Sequence, residues 1–236
     1  MSSKTKATRS IAIVVASAVG TELAGEIIGE FPTKMVSLIS NDAALFPNLP
    51  QALGRSVLRK LQEFCVDVRL GVRANCLKCT TQPYAGVLTL SNGDELGADL
   101  IIPAIGSRPV TVLISQLPSA ALNTTKRVVV DGYMRPSDFW NVFAAGDAVD
   151  AGDGMTIVAA DRQSQWLAKT LKSLCKGKDL YALEMYESWK KPPILVPLGP
   201  RRGNSYLGIG TFGDWVTRRL KGRDPFTPKY EKLLGR

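Results

Sequence analysis

The hydrophobic positions in the first part of the chain repeat with the periods of alternating strands and helices. A continuous apolar, β-branched run at residues 11–16 predicts a buried parallel strand, and the runs at 35–39 and 66–70 predict two more. Between these runs, apolar residues spaced three and four apart predict helices over residues 21–30 and 51–64. The predicted order is therefore strand, helix, strand, helix, strand.

An antiparallel excursion is predicted next. Residues 73–81 and 87–90 are short extended runs, and Asn92-Gly93 is a strong turn signal. A buried strand then returns at residues 99–104. This order predicts an α/β fold with a Rossmann-like, doubly wound nucleotide-binding domain that closes near Gly106.

The rest of the chain follows another pattern. Strands are predicted at residues 127–130 and 142–145, the second running into Gly146-Asp147, and a helix is predicted at 155–174. Its predicted inward face consists of Ile157, Ala160, Ser164, Leu167 and Leu171. Beyond residue 178 the chain is interrupted by Gly and Pro, and it favours short strands at a sheet edge.

The turn after the first strand departs from the dinucleotide fingerprint G-x-G-x-x-G, since Val15 and Ser17 occupy the first two glycine positions. A β-branched residue resists the positive φ of the tight turn, and Ser17 puts a Cβ where phosphate oxygens would come. Gly20, which allows the helix to pack on the strand, is retained. The acid expected to bind ribose falls at Ser40, with Asp42 two positions later. The turn therefore predicts a retained fold and an altered ligand site.

The positive charge is concentrated at one end of the chain. The net charge is +9, and residues 189–236 hold eleven Lys and Arg against three acids. Such a segment can bind an acidic protein, an anionic membrane surface or a nucleic-acid backbone. Trp215 and Phe226 stand among the cations and favour the membrane or the nucleic acid, because stacking would add to the charge. The alternative is a solvated surface. The first ten residues are basic and free of acids, which fits either an organelle address, such as a mitochondrial one, or a short solvated lead-in.

Metal and histidine chemistry find little support in the sequence. Cys76 and Cys79 form a C-x-x-C pair, but there is no second pair and no histidine, so we interpret the spacing as chance on a predicted strand. We interpret Asp147, Asp150 and Asp153 as a solvated Gly-rich turn, and we predict no metal site. Without histidine the chain lacks the commonest base near neutral pH. The cysteine pattern favours a reducing compartment.

Several motifs carry a family resemblance. The segments VGTELAGEI, FPTKMVSLIS, IIPAIGSRP, RVVVDGYMR and NVFAAGDAVD, with VPLGPRRG in the tail, resemble the two-dinucleotide-binding flavoprotein oxidoreductases. Within them the chain looks most like the apoptosis-inducing-factor-like group, which includes ferroptosis suppressor protein. The resemblance implies binding of FAD and NAD(P)H and electron transfer to a quinone or similar acceptor.

The resemblance also divides the chain into segments and assigns site residues. It implies a basic lead-in (1–10), an NAD(P)H-binding-like domain (11–107), a partial FAD-domain-like segment (108–177) and a basic C-terminal segment (178–236). The cofactor-binding positions, weakened or vestigial, are then Ser17, Gly20, Glu22 and Gly106 for NAD(P)H, and Gly146 and Asp147 for FAD. Glu22 matches a family acid that approaches the nicotinamide, and the helix macrodipole explains it equally well.

Two departures from the family decide the predicted function. The FAD-binding half with its own glycine-rich turn has no counterpart, so apolar faces in 127–174 lack the sheet on which they would pack. We expect this apolar patch to meet a partner chain, to dimerise or to belong to a truncated gene product. Met155 and Gln163 stand where the family tends to carry Lys and His. We therefore predict a non-catalytic structural or accessory subunit with no catalytic residue and no cofactor bound by the chain alone. The alternative is an NAD(P)H:quinone-type oxidoreductase whose FAD half lies elsewhere.

Overall fold

The computed structural model describes residues 8–15, 17–106, 109–111, 122–137, 139–221 and 231. The predictions that concern Ala16, most of the lead-in and most of the last fifteen residues lie outside this part of the chain. Two compact units are present: the first comprises Met1–Gly106 and Lys191–Arg236, and the second comprises Ser107–Lys190.

A six-stranded mixed sheet forms the centre of the first unit, and it confirms the predicted α/β fold. Its strands are β1 (Ser10–Val15), β2 (Met35–Ser40), β3 (Asp67–Arg69), β4 (Ala74–Asn75), β5 (Tyr84–Leu90) and β6 (Glu95–Ala104). Their order is β3-β2-β1-β6-β5-β4, with β3, β2, β1 and β6 parallel and the last two antiparallel. The prediction of a strand over residues 73–81 was largely wrong, because only Ala74–Asn75 pairs and the chain then bends away.

Two helices cover one face of this sheet, α1 (Ala18–Glu30) and α2 (Gln51–Glu63). Ile11, Ile13 and Leu38 are almost completely buried beneath them, in one cluster with Leu53 and Leu61 of α2. The apolar spacing that predicted both helices thus corresponds to their buried faces.

The C-terminal part of the first unit adds a second sheet and a helix. β9 (Ile194–Leu198), β10 (Arg202–Tyr206) and β11 (Thr211–Phe212) form a three-stranded antiparallel sheet of their own, followed by a short helix (Asp214–Lys221). The predicted strands exist, but they do not extend the edge of the main sheet. Instead β9 packs on α1, where a Cβ on Gly25 would lie 2.5 Å from the Leu198 Cα. Only glycine permits that approach.

In the second unit, two short parallel strands, β7 (Val128–Val129) and β8 (Val149–Asp150), precede the helix α3 (Ile157–Leu174). The short helix of the first unit (Asp214–Lys221) is α4 in chain order. The strand predicted at residues 142–145 is absent, since these residues are irregular and the strand forms at Val149–Asp150 instead.

The predicted inward face of α3 was wrong at three of its five positions, while Ala160 and Leu167 are half-buried. Ile157, Ser164 and Leu171 are exposed, and the helix buries Ala159, Gln163 and Thr170 instead. The apolar spacing indicated a buried side, but in this unit the helix packs through a mostly polar one. No helix in the described part of the chain combines the length and apolar character needed to cross a membrane.

Candidate functional site

The turn between β1 and α1 lies where three parallel strands end at the same level. Val15 pairs with Ser40 of β2 on one side and with Ala104 of β6 on the other. The chain leaves β1 toward β2 and returns through β6, so β1 and β6 form the switch point at which open α/β sheets bind ligands. Gly106 follows β6 at this edge, exposed and with a φ of 94°.

The helix N-terminus in this turn has no side-chain cap among the residues that the structure describes. Ser17 is the N-cap residue with extended backbone angles, but its side chain makes no capping hydrogen bond, and the first turn of α1 holds no acid. Glu22 lies in the second turn and is half-buried, so the macrodipole explains it less well than the sequence suggested. The first amides of α1 are therefore open to an anion.

Gly20 is held between two strands. A Cβ at this position would lie 2.7 Å from Val15 Cγ2 and 3.1 Å from the Ala104 Cβ. Its observed role is thus the close packing of α1 on the sheet, and the valine that replaces the first fingerprint glycine contributes to that contact. Whether Gly20, Ser17, Glu22 and Gly106 bind a nucleotide remains a prediction.

A small cavity of about 50 Å³ opens beside this turn. It is lined by Val15, Ser17, Thr21, Ser40, Asp42, Ala44, Leu45, Phe46 and Pro47. Thr21 is completely buried, and its Oγ1 has no hydrogen-bond partner within the described part of the chain. Ser40 is also buried, and its Oγ accepts a hydrogen bond from the Asp42 amide at 3.2 Å. The sequence analysis did not identify Thr21, because a threonine four positions into a helix carries no signal of its own.

The loop at Gly146-Asp147 is held by a hydrogen bond to the buried side chain of Gln163. Gly146, with a φ of 86°, donates its amide to Gln163 Oε1 at 2.7 Å, and Gln163 Nε2 donates to Asp153 Oδ2 at 3.1 Å. Gln163 is 1% exposed, whereas Asp147 is exposed. The Gly146 amide is thus already engaged, and Asp147 alone does not make a flavin site.

Asp153 corrects the interpretation of this turn as solvated. The residue is buried, and its carboxylate accepts the Tyr186 hydroxyl at 2.5 Å and the Trp189 amide at 3.3 Å. Burial is the main cause that raises the pKa of Tyr186 to about 12, and the hydrogen bond to Asp153 is the second. The turn looked solvated because its Gly residues and acids are typical of surface loops, while two of the partners of Asp153, Tyr186 and Trp189, lie more than thirty residues further along.

The C-x-x-C pair lies in an irregular loop, not on the predicted strand. Cys76 has a φ of 47°, and hydrogen bonds from the Thr81 backbone and hydroxyl lower the pKa of the Cys79 thiol. All four cysteines are free. Within the residues that the structure describes, no group of His, Cys, Asp and Glu could hold a metal ion.

These features define a class of protein. A parallel sheet with its switch point at an uncapped helix N-terminus, an antiparallel excursion and a returning strand–loop–helix unit are the parts of a dinucleotide-binding oxidoreductase fold. The chain belongs to the pyridine nucleotide-disulphide oxidoreductase family, whose model matches residues 1–164.

Individual relatives agree with this assignment. The chain is 31% identical to the oxidoreductase ptaL of Pestalotiopsis fici over 87% of its own length and 53% of that protein. It is 25% identical to apoptosis-inducing factor homolog B of Dictyostelium discoideum, over 99% of this chain and 65% of that protein. The resemblance to apoptosis-inducing-factor-like FAD/NAD(P) oxidoreductases is thereby confirmed, and the chain spans about half to two thirds of the length of these relatives.

A solved structure agrees with the fold. The reduced CoADR-RHD of Bacillus anthracis superimposes with a TM-score of 0.65 at 18% identity, over 92% of this chain and 37% of that one. The protein therefore has the fold of an FAD- and NAD(P)-dependent oxidoreductase.

Proposed function

We propose that this chain is the pyridine-nucleotide-binding part of an NAD(P)H-dependent oxidoreductase with a quinone-type acceptor. The observation that carries the proposal is the buried Thr21 hydroxyl, which lines a cavity beside an uncapped helix N-terminus and lacks a partner among the described residues. A buried polar group without a hydrogen bond is costly, and a ligand that supplies the missing partner explains why it is retained.

The residues of the turn offer the types of polar group that a dinucleotide needs. The open amides at the start of α1 suit a pyrophosphate, while Ser40 and Asp42 offer oxygen atoms to ribose hydroxyls. The Asp42 carboxylate disfavours an additional phosphate on the ribose, so we expect NADH to bind better than NADPH. A bound nicotinamide supplies hydride chemistry, and this chain's contribution is to hold and orient it.

The described residues fit FAD less well than they fit a pyridine dinucleotide. Gly146 is engaged by Gln163, and Asp147 stands alone at the surface. We propose that the flavin is held by a polypeptide segment outside this sequence, on the same protein or another. Its docking surface is the Ile157 face of α3, defined by Ile157, Ser164 and Leu171, where Ile157 is 55% exposed and Leu171 39%. An apolar helix face of this kind marks an interface.

A second candidate function is favoured by the side chains in the turn. Val15 and Ser17 add bulk where the fingerprint has bare backbone, and the neighbouring cavity is small. A family member that kept this packing and lost its nucleotide would serve as a structural or accessory subunit of a larger assembly.

Calorimetric titration with NADH separates the two candidates. Ser17→Asp supplies a good N-cap carboxylate, which occupies the free amides and repels phosphate. We expect wild type to bind NADH. Ser17→Asp should bind NADH at least about tenfold more weakly, without loss of thermal stability.

The matched control for this variant is Gln51→Asp. It adds the same charge at the start of α2, another helix that begins without an acid or a side-chain cap. We expect the control to bind NADH like wild type. Absence of NADH binding to wild type would favour the accessory subunit, and equal affinity of Ser17→Asp and wild type would show that the nucleotide binds elsewhere.

A further inference from the structure

A second cleft lies in the second unit, between α3 and the segment that follows it. Its volume is about 410 Å³, within the range of small-molecule pockets. Its lining combines two aromatic side chains with four polar or charged ones: Arg162, Gln165, Trp166, Lys169, Tyr186 and Glu187. Nothing in the proposed dinucleotide site uses these residues.

The aromatic wall of the cleft is held rigidly by its surroundings. Trp166 and Tyr186 pack edge to face with centroids 5.9 Å apart, and the Tyr186 hydroxyl is fixed on Asp153. Arg162 lies over the Trp189 ring at 4.1 Å and donates to the Glu187 carbonyl at 2.8 Å. A wall fixed in this way is preorganised for a planar partner.

The polar groups around this wall differ in what they can bind. Lys169 is exposed, and the described part of the chain offers it no carboxylate within ion-pair distance. Gln165 presents an amide with both donor and acceptor atoms, and the Glu187 side chain can accept hydroxyl or amino groups. The cleft thus combines a stacking surface, a free cation, an amide and a carboxylate.

The cleft also points away from the surface proposed for the flavin-bearing segment. At about 3.6 residues per turn, Lys169 lies roughly 140–160° around α3 from Ser164 and Leu171, and Gln165 lies roughly 100–120° from them. A partner that covers the Ile157 face therefore leaves the cleft open.

We propose that this cleft binds a nucleoside monophosphate. The base stacks on the Trp166 ring with Tyr186 against its edge, because the two rings are 76° apart. The phosphate pairs with Lys169, and Gln165 and Glu187 take the polar edge of the base and the ribose hydroxyls. A simple aromatic acid would use the wall and the lysine but leave the amide and the carboxylate without a role. The combination of all four groups therefore favours the nucleotide.

The proposal is tested by calorimetric titration of the full chain with AMP, in wild type and in Ser17→Asp, in which binding at the proposed dinucleotide site is weakened. We expect equal AMP affinity in these two proteins and about tenfold weaker binding in Lys169→Gln. Lys172→Gln removes the same charge from the same helix outside the cleft, and it should bind AMP like wild type. Adenosine, which lacks the phosphate, should bind more weakly than AMP and be insensitive to Lys169→Gln.

Several outcomes would overturn the proposal. Loss of AMP binding in Ser17→Asp with no effect of Lys169→Gln would assign the nucleotide to the turn before α1. Benzoate binding as tightly as AMP would make the cleft a site for aromatic acids. Failure of wild type to bind AMP would refute a nucleotide site here, whatever the result of the NADH titration.

Discussion

The unpartnered hydroxyl of Thr21 leads to a prediction in which stability and binding change in opposite directions. Thr21→Val keeps the shape of the side chain and removes the oxygen, and the two residues have similar helix propensities. Because Thr21 is completely buried and its Oγ1 lacks a partner among the described residues, this oxygen opposes folding. The variant should therefore be more stable than wild type while it binds NADH less well.

The size of the effect follows from the cost of a buried polar group left without a hydrogen bond. That cost is about 1–3 kcal/mol. At roughly 2–4 °C per kcal/mol for a chain of this size, the Tm of the free protein should rise by about 2–12 °C. If the dinucleotide supplies the missing partner, its loss should weaken NADH binding by about five- to tenfold.

The assay is thermal unfolding of both proteins with and without saturating NADH. Wild type should gain more from NADH than Thr21→Val does, since a ligand stabilises in proportion to its affinity. Thr217→Val is the matched control: Thr217 is equally buried, but its Oγ1 lies 2.6 Å from Ser205 Oγ and donates to the Gly213 carbonyl at 3.1 Å. This control should lower the Tm. If Thr21→Val lowers it as well, the Thr21 hydroxyl has a partner in solution and the reasoning is refuted.

Two further predictions concern the attachment of the C-terminal sheet and α4 to the rest of the first unit. Burial favours protonation of Asp214, but hydrogen bonds from the Lys60 ammonium and the Gly203 amide outweigh it and hold the pKa below 3.8. Its stabilising contribution is therefore present above that pH and lost as the pH falls through the lowered pKa. Asp214→Asn, which leaves Lys60 buried without its counter-ion, should cost about 1–3 kcal/mol in urea unfolding at neutral pH and progressively less in acid; a cost that does not change with pH would contradict this. Gly25→Ala should lower the free energy of unfolding by about 1–3 kcal/mol, because the added methyl group meets the Leu198 backbone. The control is Gly97→Ala, whose methyl group meets nothing within 4 Å and should change stability little. Equal effects of the two substitutions would show that α1 and β9 can move apart.

The first unit was predictable from its sequence because its apolar pattern and its packing agree. The run at residues 11–16 corresponds to β1, whose Ile11, Ala12 and Ile13 are almost fully buried. Gly20 was expected to serve helix packing, and its neighbours Val15 and Ala104 show that it does. Both of these features depend on local spacing, which a single sequence contains.

The parts that could not be predicted depend on contacts far apart in the chain. The ion pair of the buried Lys60 and the partly exposed Asp214 joins residues 154 positions apart, and neither residue stands in a motif. Asp153 lay in a turn that looked solvated, yet its partners Tyr186 and Trp189 come more than thirty residues later. Thr21 stands out only through the absence of a partner, which is a property of the packed structure and not of the sequence.

The error in α3 has a different cause, and it bears on function. The apolar spacing indicated that Ile157, Ser164 and Leu171 face inward, and the structure leaves all three exposed. A sequence pattern records the face that a helix buries in its complete setting. Because α3 packs within its unit through Ala159 and Gln163, its apolar side remains available for a further polypeptide segment. The discrepancy between pattern and packing is therefore itself an argument for a partner on the Ile157 face. Substituting Leu171 with Asp should leave the isolated chain as stable as before and abolish co-purification of a flavin-bearing segment from the native source; a marked loss of stability of the isolated chain would show that α3 buries this face on its own.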